Sequence, residues 1–154
     1  MAADPDDIRA WQRLSDRITT SGRLQAHDPA RLAAIGVRHV INLAMLDHPD
    51  ALPDAAARFS AAGVDYTHIP VPFEATEEAH YEAFVRALES RDGPVHVHCI
   101  ANWRVSAFFY RWHRDACGMP EGEARALMER QWSPETHDHP AAPVWAAFVR
   151  ERKG

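Results

Sequence analysis

Cys99 stands in a sequence context that suits a nucleophile acting on an anion. It follows the strand-like run Val95-His96-Val97-His98 and precedes residues that predict a helix over 105–116. A cysteine at the start of a helix faces the positive end of the helix dipole and free backbone N–H groups, which stabilise both a thiolate and a bound anion. Arg104 adds a planar guanidinium able to bind two oxygens of a phosphate or sulfate. These residue types predict covalent catalysis by Cys99 on a phosphate-like group.

The residues after Cys99 predict a phosphate-binding loop at a strand-to-helix turn. Their backbone N–H groups can converge on an anion, as in a nest of successive amides, and the loop residues are Ile100, Ala101, Asn102, Trp103 and Arg104. We expect His98 to hold the loop through a backbone hydrogen bond. We expect Ser106, in the first helical turn, to donate a hydrogen bond to the thiolate as it becomes a leaving group. His96 shares a strand face with His98 and is interpreted as a core histidine with satisfied hydrogen bonds.

Strands and helices alternate along the chain that positions this loop. β-branched and apolar runs predict strands at 18–21, 37–43, 64–71 and 95–98. Capping residues and apolar periodicity predict helices near 4–16, 29–35, 54–62, 77–88, 105–116, 119–132 and 144–152, with a polar loop over 133–143. This order predicts a single α/β domain over 1–154, with a mainly parallel sheet of four to five strands and helices on both faces. Ligands of such sheets bind beyond the carboxyl ends of the strands, where Cys99 is placed.

Length, charge and composition limit the function classes. The 154 residues, 46% hydrophobic and 25% charged, suffice for one folded domain and exclude a disordered chain. The net charge of −5 and the lack of a Lys/Arg-rich run argue against a nucleic-acid partner. No apolar run approaches the roughly 18 residues of a membrane span, and the acidic N-terminus does not resemble a signal peptide. With two cysteines and no metal-ligand motif, we expect a cytoplasmic protein that uses neither a metal nor a cofactor.

The central motif also resembles a known family. The run Gly93-Pro94-Val95-His96-Val97-His98-Cys99, followed by Arg104 and Ser106, resembles the signature of cysteine-based protein tyrosine and dual-specificity phosphatases. Upstream segments resemble the strand and helix order of small bacterial members, so the resemblance covers roughly residues 15–132. It implies hydrolysis of phosphate monoesters through a cysteinyl-phosphate intermediate on Cys99, without a metal. It also implies a phosphorylated protein or small molecule as substrate, and phosphate, sulfate or vanadate as ligands of the loop.

The motif departs from that family at two positions. Four residues, instead of five, separate Cys99 from Arg104, and Asn102 stands where the family has glycine. Either the loop is one residue shorter, or it keeps its length and the arginine lies one place earlier. Ser106 favours the second interpretation because it stands seven positions after Cys99, as the hydroxyl residue of the family does. Asn102 fits as well, because asparagine is the usual substitute for glycine at positive φ.

Two other functions are compatible with this motif. A loop of six residues from cysteine to arginine resembles that of rhodanese sulfurtransferases, which implies persulfide transfer on Cys99 as an alternative. A catalytically weak pseudophosphatase that binds a phosphorylated or anionic partner is the other alternative. It is suggested by the altered spacing and by the absence of the usual acidic residue.

A general acid must come from another part of the chain. In dual-specificity phosphatases it is an aspartate on the loop after the strand matched here by 66–71, and this chain has no aspartate at that place. Glu74 is the candidate acid because it is the carboxylic residue nearest the end of that strand. Asp47 and Asp138 are further options.

Overall fold

A five-stranded sheet forms the centre of the molecule. The structure is a computed structural model that describes residues 3–152. The strands, in the spatial order β1-β2-β5-β3-β4, are β1 (Gln12–Arg13), β2 (Ile18–Ser21), β3 (His39–Asn42), β4 (Asp65–His68) and β5 (Val95–His98). β2, β5, β3 and β4 are parallel, and β1 pairs antiparallel with β2. The predicted, mainly parallel sheet of four to five strands is therefore confirmed.

Helices cover both faces of this sheet, as predicted. Along the chain they are α1 (Asp28–Ala34), α2 (Ala55–Ala61), α3 (Glu78–Glu89), α4 (Trp103–Arg111), α5 (Glu121–Glu129) and α6 (Ala142–Arg150). α1 and α2 contribute Leu32 and Phe59 to one core, which also holds Val40 of β3. α3 to α6 pack on the other face, around Ile41 of β3 and Val97 of β5. Neighbouring residues of β3 enter different cores because successive side chains of a strand point to opposite faces.

The segment predicted as a helix over 4–16 is not helical, so that prediction is wrong. It contains the short strand β1, which covers the edge of β2 by antiparallel pairing. Ala10 adopts a φ of 55°, a left-handed conformation that interrupts a right-handed helix. The carboxylate of Asp4 accepts a hydrogen bond from Arg13 at 2.6 Å instead of capping a helix. Pairing with the sheet thus overrides the local capping signal.

The strands predicted at 18–21 and 95–98 have the predicted bounds, and the other predicted elements are present with different bounds. α4 begins at Trp103, two residues before the predicted helix over 105–116, and a π-helical turn over Trp112–Ala116 follows it. α5 is shorter than the predicted 119–132, and α6 begins and ends two residues before the predicted 144–152. β3 and β4 are each four residues long and so shorter than the predicted runs, although flanking residues such as Arg38 and Val71 also form backbone hydrogen bonds with neighbouring segments.

Candidate active site

The Cys99 loop, residues 99–104, joins β5 to α4 at the carboxyl end of the parallel strands. The backbone N–H of Cys99 donates to the carbonyl oxygen of Ser21 at 3.4 Å. The backbone N–H of Arg23 donates to the carbonyl oxygen of Ile100 at 2.9 Å. Asn102 adopts a φ of 67° just before the first residue of α4, which confirms the predicted positive φ. The loop is therefore held against the end of β2 and turns sharply into the helix.

A cavity of about 250 Å³ opens beside Cys99. Its lining brings together the predicted nucleophile Cys99, the predicted anion ligand Arg104 and the predicted acid Glu74. The other residues of the lining are His48, Phe73, Ile100, Ala101, Trp103 and His139. Cys99 is a free cysteine and is 1% exposed, whereas Glu74 is exposed to solvent. The cavity thus brings the predicted Cys99 and Arg104 motif together with a carboxylic residue from a different part of the chain.

Arg104 connects two of the loops that line this cavity. Its Nη1 donates to the carbonyl oxygen of Val71 at 2.8 Å, and its guanidinium carbon lies 5.7 Å from the centre of the Phe73 ring. Val71 directly precedes the loop that carries Glu74, so Arg104 joins that loop to the Cys99 loop. One carbonyl oxygen does not neutralise a guanidinium that is only 7% exposed. An anion beside Cys99 would supply the missing charge.

His98 is buried on the face of β5 opposite to Val97. Burial lowers the pKa of His98 to about 4, and an interaction with the backbone of Cys99 offsets this effect only in part. Within residues 3–152, neither ring nitrogen has a hydrogen-bond partner of normal geometry. The ring is therefore neutral near pH 7, and the expected hydrogen bond from His98 to the loop stays a prediction.

Ser106 does not line the cavity beside Cys99. Its hydroxyl donates to the carbonyl oxygen of Trp103 at 3.1 Å, one turn back along α4. Ser106 instead lines a small cavity behind the loop, together with Asn102 and His113. The assistance of Ser106 to the leaving thiolate stays a prediction, and it requires the hydroxyl to turn away from its present partner.

His96 belongs to a buried chain of hydrogen bonds next to the loop. Its Nδ1 lies 2.8 Å from the hydroxyl of Thr19, and its Nε2 lies 2.8 Å from the hydroxyl of Ser21. The Ser21 hydroxyl donates to the carbonyl oxygen of Gly22 at 2.9 Å, so it accepts from Nε2, and Thr19 donates to Nδ1. Burial lowers the pKa of His96 well below 6.5, in agreement with a neutral ring. The interpretation of His96 as a satisfied core histidine is confirmed.

Aromatic side chains form one side of the cavity. The rings of Trp103 and Trp132 are stacked, with centres 4.9 Å apart and planes at 7°. Trp132 also donates from Nε1 to the carbonyl oxygen of Trp103 at 3.0 Å. The Phe73 ring centre lies 5.9 Å from that of Trp103, and the Phe73 carbonyl accepts a hydrogen bond from Nε1 of Trp145 at 2.6 Å. These contacts hold the two cavity-lining loops against the C-terminal helices.

Two histidines of the cavity, His48 and His139, were not identified from the sequence. Nδ1 of His48 accepts the backbone N–H of Asp50, and Nδ1 of His139 accepts that of Ala141, both at 3.0 Å. Such a bond uses Nδ1 as the acceptor, so Nε2 is the ring nitrogen available to donate. His139 also packs edge-on against Phe73, with ring centres 4.9 Å apart. Both histidines stand in polar turns, and neither turn carries a motif that assigns its histidine to the site.

Residues 3–152 contain neither a metal-ligand cluster nor a membrane-spanning helix. Within this range, no group of three or more His, Cys, Asp or Glu side chains is placed to hold a metal ion. No helix in it combines the length and apolar character needed to cross a bilayer. The second cysteine, Cys117, is exposed and free.

Comparison with known proteins identifies relatives over most of the chain. The family described as beta-lactamase hydrolase-like protein, phosphatase-like domain, matches residues 9–112. A beta-lactamase hydrolase-like protein of Agrobacterium fabrum (strain C58 / ATCC 33970) is 30% identical over 100 residues, which are 63% of this chain and 23% of that protein. One of Xylella fastidiosa (strain 9a5c) is 29% identical over 135 residues, 77% of this chain and 31% of that protein. The chain thus spans less than a third of the length of these curated relatives.

Solved structures share the fold. A DUF442 protein of Shewanella putrefaciens CN-32 is 30% identical, has a TM-score of 0.78 and aligns over 93% of this chain and 92% of its own. The complex of P. aeruginosa TpbA with phosphotyrosine is 22% identical, with a TM-score of 0.73, and aligns over 99% of this chain and 89% of its own. The resemblance to cysteine-based phosphatases is thereby confirmed. Because the family match covers more than half of the sequence, the chain belongs to the family of the phosphatase-like domain of beta-lactamase hydrolase-like proteins.

Proposed function

We propose that the protein hydrolyses phosphate monoesters with Cys99 as the nucleophile. The observation that carries the proposal is the single cavity that Cys99, Arg104 and Glu74 line at the start of α4. The N-terminus of α4 and the N–H groups of the Cys99 loop bind the phosphate, and Arg104 pairs with its oxygens. The family match and the shared fold support this assignment.

The proposed reaction has two steps. In the first, the thiolate of Cys99 attacks phosphorus and forms an S–P bond, while the P–O bond to the leaving group breaks and Glu74 gives its proton to that oxygen. In the second, water attacks the phosphorus of the cysteinyl phosphate and loses a proton to Glu74. The S–P bond then breaks, and its electron pair returns to the sulfur. Ser106 stabilises this departing thiolate once its hydroxyl has turned from the Trp103 carbonyl.

Glu74 is the acid in this scheme because, among the described residues that line the cavity, it is the one with a carboxyl group. A carboxylic acid can give a proton to the leaving oxygen and take one back from water. His48 and His139 line the same cavity, but backbone N–H donors occupy their Nδ1 atoms. Nε2 is then the ring nitrogen that can donate a hydrogen bond, so their role is to orient the substrate.

The proposed substrates are phosphotyrosine and similar phosphate esters, carried on a protein or a small molecule. Phe73 and Trp103 give the cavity aromatic sides against which an aryl group can pack. P. aeruginosa TpbA has been solved with phosphotyrosine, and PTPMT1 with PI(5)P. Proteins of this fold thus bind more than one kind of phosphate ester. That this chain acts on aryl phosphates such as phosphotyrosine is part of the proposal.

Hydrolysis of p-nitrophenyl phosphate by wild-type protein and by Cys99→Ser tests the proposal. Activity is expected to fall to background in Cys99→Ser, because a serine hydroxyl is a far weaker nucleophile than a thiolate at neutral pH. Cys117→Ser is the matched control, since Cys117 is exposed and lies outside the cavity lining. It should retain wild-type activity. Wild-type turnover no faster than that of Cys99→Ser would contradict the proposed reaction.

Anion binding with slow turnover is the second candidate function. Two contacts favour it: Arg104 donates one N–H to the Val71 carbonyl, and Ser106 donates its hydroxyl to Trp103. Tight vanadate binding, measured by calorimetry, together with turnover at the Cys99→Ser level would select this function. Persulfide transfer is tested by thiosulfate treatment and intact-mass measurement. The gain of one sulfur atom, absent in Cys99→Ser, would select it.

A further inference from the structure

Asn102 has a left-handed backbone conformation within the Cys99 loop and is completely buried. Its backbone has a φ of 67° and a ψ of 10°, and its exposure is 0%. Asparagine enters this left-handed region more readily than most residues, but glycine does so with less strain. A glycine would be sufficient for this backbone conformation, so the buried side chain of Asn102 indicates a further role for this residue.

The side-chain amide of Asn102 bonds to two groups outside the loop. Its Nδ2 donates to the carbonyl oxygen of Ala10 at 2.9 Å and to the hydroxyl oxygen of Thr20 at 3.0 Å. The Thr20 hydroxyl gives its own proton to the carbonyl oxygen of Gln12 at 3.2 Å, so it is an acceptor for Asn102. Because both partners are acceptors, the nitrogen of the amide must face them. The orientation of this side chain is therefore determined by its surroundings.

These bonds connect the loop to the edge of the sheet that β1 and β2 form. Thr20 belongs to β2, and Ala10 lies two residues before β1. Separate backbone bonds hold the first part of the loop, from Cys99 to Ser21 and from Arg23 to Ile100. The loop is thus bonded near both of its ends to β2 and the residues that flank it.

We propose that Asn102 is a positioning residue that determines where the loop N–H groups and Cys99 point. Asn102 is not among the described residues that line the cavity beside Cys99, but it lines the small cavity behind the loop. It therefore acts through the loop and not by contact with the phosphate. This inference rests on the proposed function of the loop as a phosphate site. The glycine of the related signature has no side chain that could form these bonds.

Three single variants distinguish the effect of the Asn102 side-chain amide from the effect of its backbone conformation. Asn102→Gly keeps access to positive φ but removes both hydrogen bonds. Thr20→Val removes one acceptor and leaves Asn102 in place. Thr67→Val is the matched control. Thr67 lies in β4, at the opposite edge of the sheet, and its hydroxyl is 2.7 Å from Nε2 of His39 in β3.

The measurements are the vanadate dissociation constant by calorimetry, kcat and KM for p-nitrophenyl phosphate, and the melting temperature. Asn102→Gly is expected to weaken vanadate binding and raise KM about tenfold or more, since each hydrogen bond contributes a factor of about five. Thr20→Val is expected to weaken vanadate binding about threefold to fivefold. The double variant should bind no more weakly than Asn102→Gly, because Thr20 acts through the amide. Thr67→Val should lower the melting temperature and leave vanadate binding, kcat and KM unchanged.

Several outcomes would overturn the inference. Unchanged vanadate binding in Asn102→Gly would do so, and so would an equal loss in Thr67→Val, which would assign the effect to stability. If Asn102→Gly does not fold, the vanadate affinity of Thr20→Val is the test, and an unchanged affinity would overturn the inference. A wild-type protein that binds vanadate without hydrolysis contradicts the proposed function alone. Wild-type hydrolysis that Asn102→Gly fully retains contradicts this inference alone.

Discussion

Replacing Gly22 with alanine is expected to displace the Cys99 loop. A Cβ at this position would lie 2.6 Å from the carbonyl oxygen of Ile100 and 3.2 Å from that of Arg9. Both are backbone atoms, and the Ile100 oxygen also accepts the N–H of Arg23 at 2.9 Å, so neither can rotate away as a side chain can. Gly22 does not have a positive φ, so this contact, and not the backbone angle, requires glycine here.

The size of the effect follows from the contact distance. Ordinary contacts of a Cβ begin at 3.4 Å, so the Cβ and the Ile100 oxygen must move apart by about 0.8 Å. Overpacking of this kind costs about 1–3 kcal/mol of the free energy of unfolding. The melting temperature of a domain of this size falls by about 2–4 °C for each kcal/mol. A shift of about 1 Å in a catalytic group can cost 100-fold, so we expect kcat/KM to fall about 10- to 100-fold.

The assay compares kcat/KM for p-nitrophenyl phosphate, the vanadate dissociation constant and the melting temperature in Gly22→Ala and Gly122→Ala. Gly122 lies in α5, and no atom stands within 4 Å of the Cβ that alanine would add. Gly122→Ala should raise stability by up to about 1 kcal/mol through helix propensity and leave kcat/KM unchanged. Wild-type kcat/KM and vanadate affinity in Gly22→Ala would show that the contact with Ile100 does not position the Cys99 loop, even if the melting temperature falls.

Two further predictions concern stability. The buried guanidinium of Arg111 donates to both carboxylate oxygens of Glu78, at 2.8 and 2.7 Å, and lies 4.2 Å from the centre of the Tyr81 ring. Arg111→Met should therefore lower the free energy of unfolding in urea by about 1–3 kcal/mol without changing kcat/KM, and unchanged stability would contradict this. Burial lowers the pKa of His98 from 6.5 to about 4, so between these pH values the unfolded chain binds more protons and stability falls as pH falls. His98 alone changes the free energy of unfolding by about 1.4 kcal/mol per pH unit in this range. Urea denaturation at pH 7.5, 6 and 5 should show a smaller dependence of this free energy on pH in His98→Asn than in the wild type. An equal dependence in both proteins would contradict the prediction.

The failed prediction of an N-terminal helix shows the limit of local signals. Asp4 followed by proline is a normal helix start, and apolar spacing behind it supports a helix. In the structure, Asp4 pairs with Arg13, and Gln12 pairs with Thr20 across the edge of the sheet. Without β1, strand β2 would be an edge strand with unpaired backbone N–H and C=O groups. The segment before it pairs with these groups as β1, whereas a short helix there would leave them without hydrogen bonds.

The Cys99 loop could be predicted from the sequence because the residues that build it are contiguous. A β-branched strand, a residue that tolerates positive φ and a following helix place Cys99 and Arg104 near each other through short-range geometry. The α/β class follows from the order of apolar segments in the same way. These features depend on neighbours in the chain, and local conformational preferences suffice to specify them.

Which distant groups surround that loop depends on how the strands pair. Parallel pairing places the carboxyl ends of β2, β3, β4 and β5 on one side of the sheet, so Gly22, His48 and Cys99 come together with Glu74, which the family resemblance had already indicated. Asn102 reaches Thr20 across the same arrangement. Apolar periodicity records which side of a strand is buried but not which loops meet beyond its end. That information exists only once the strands have paired in register.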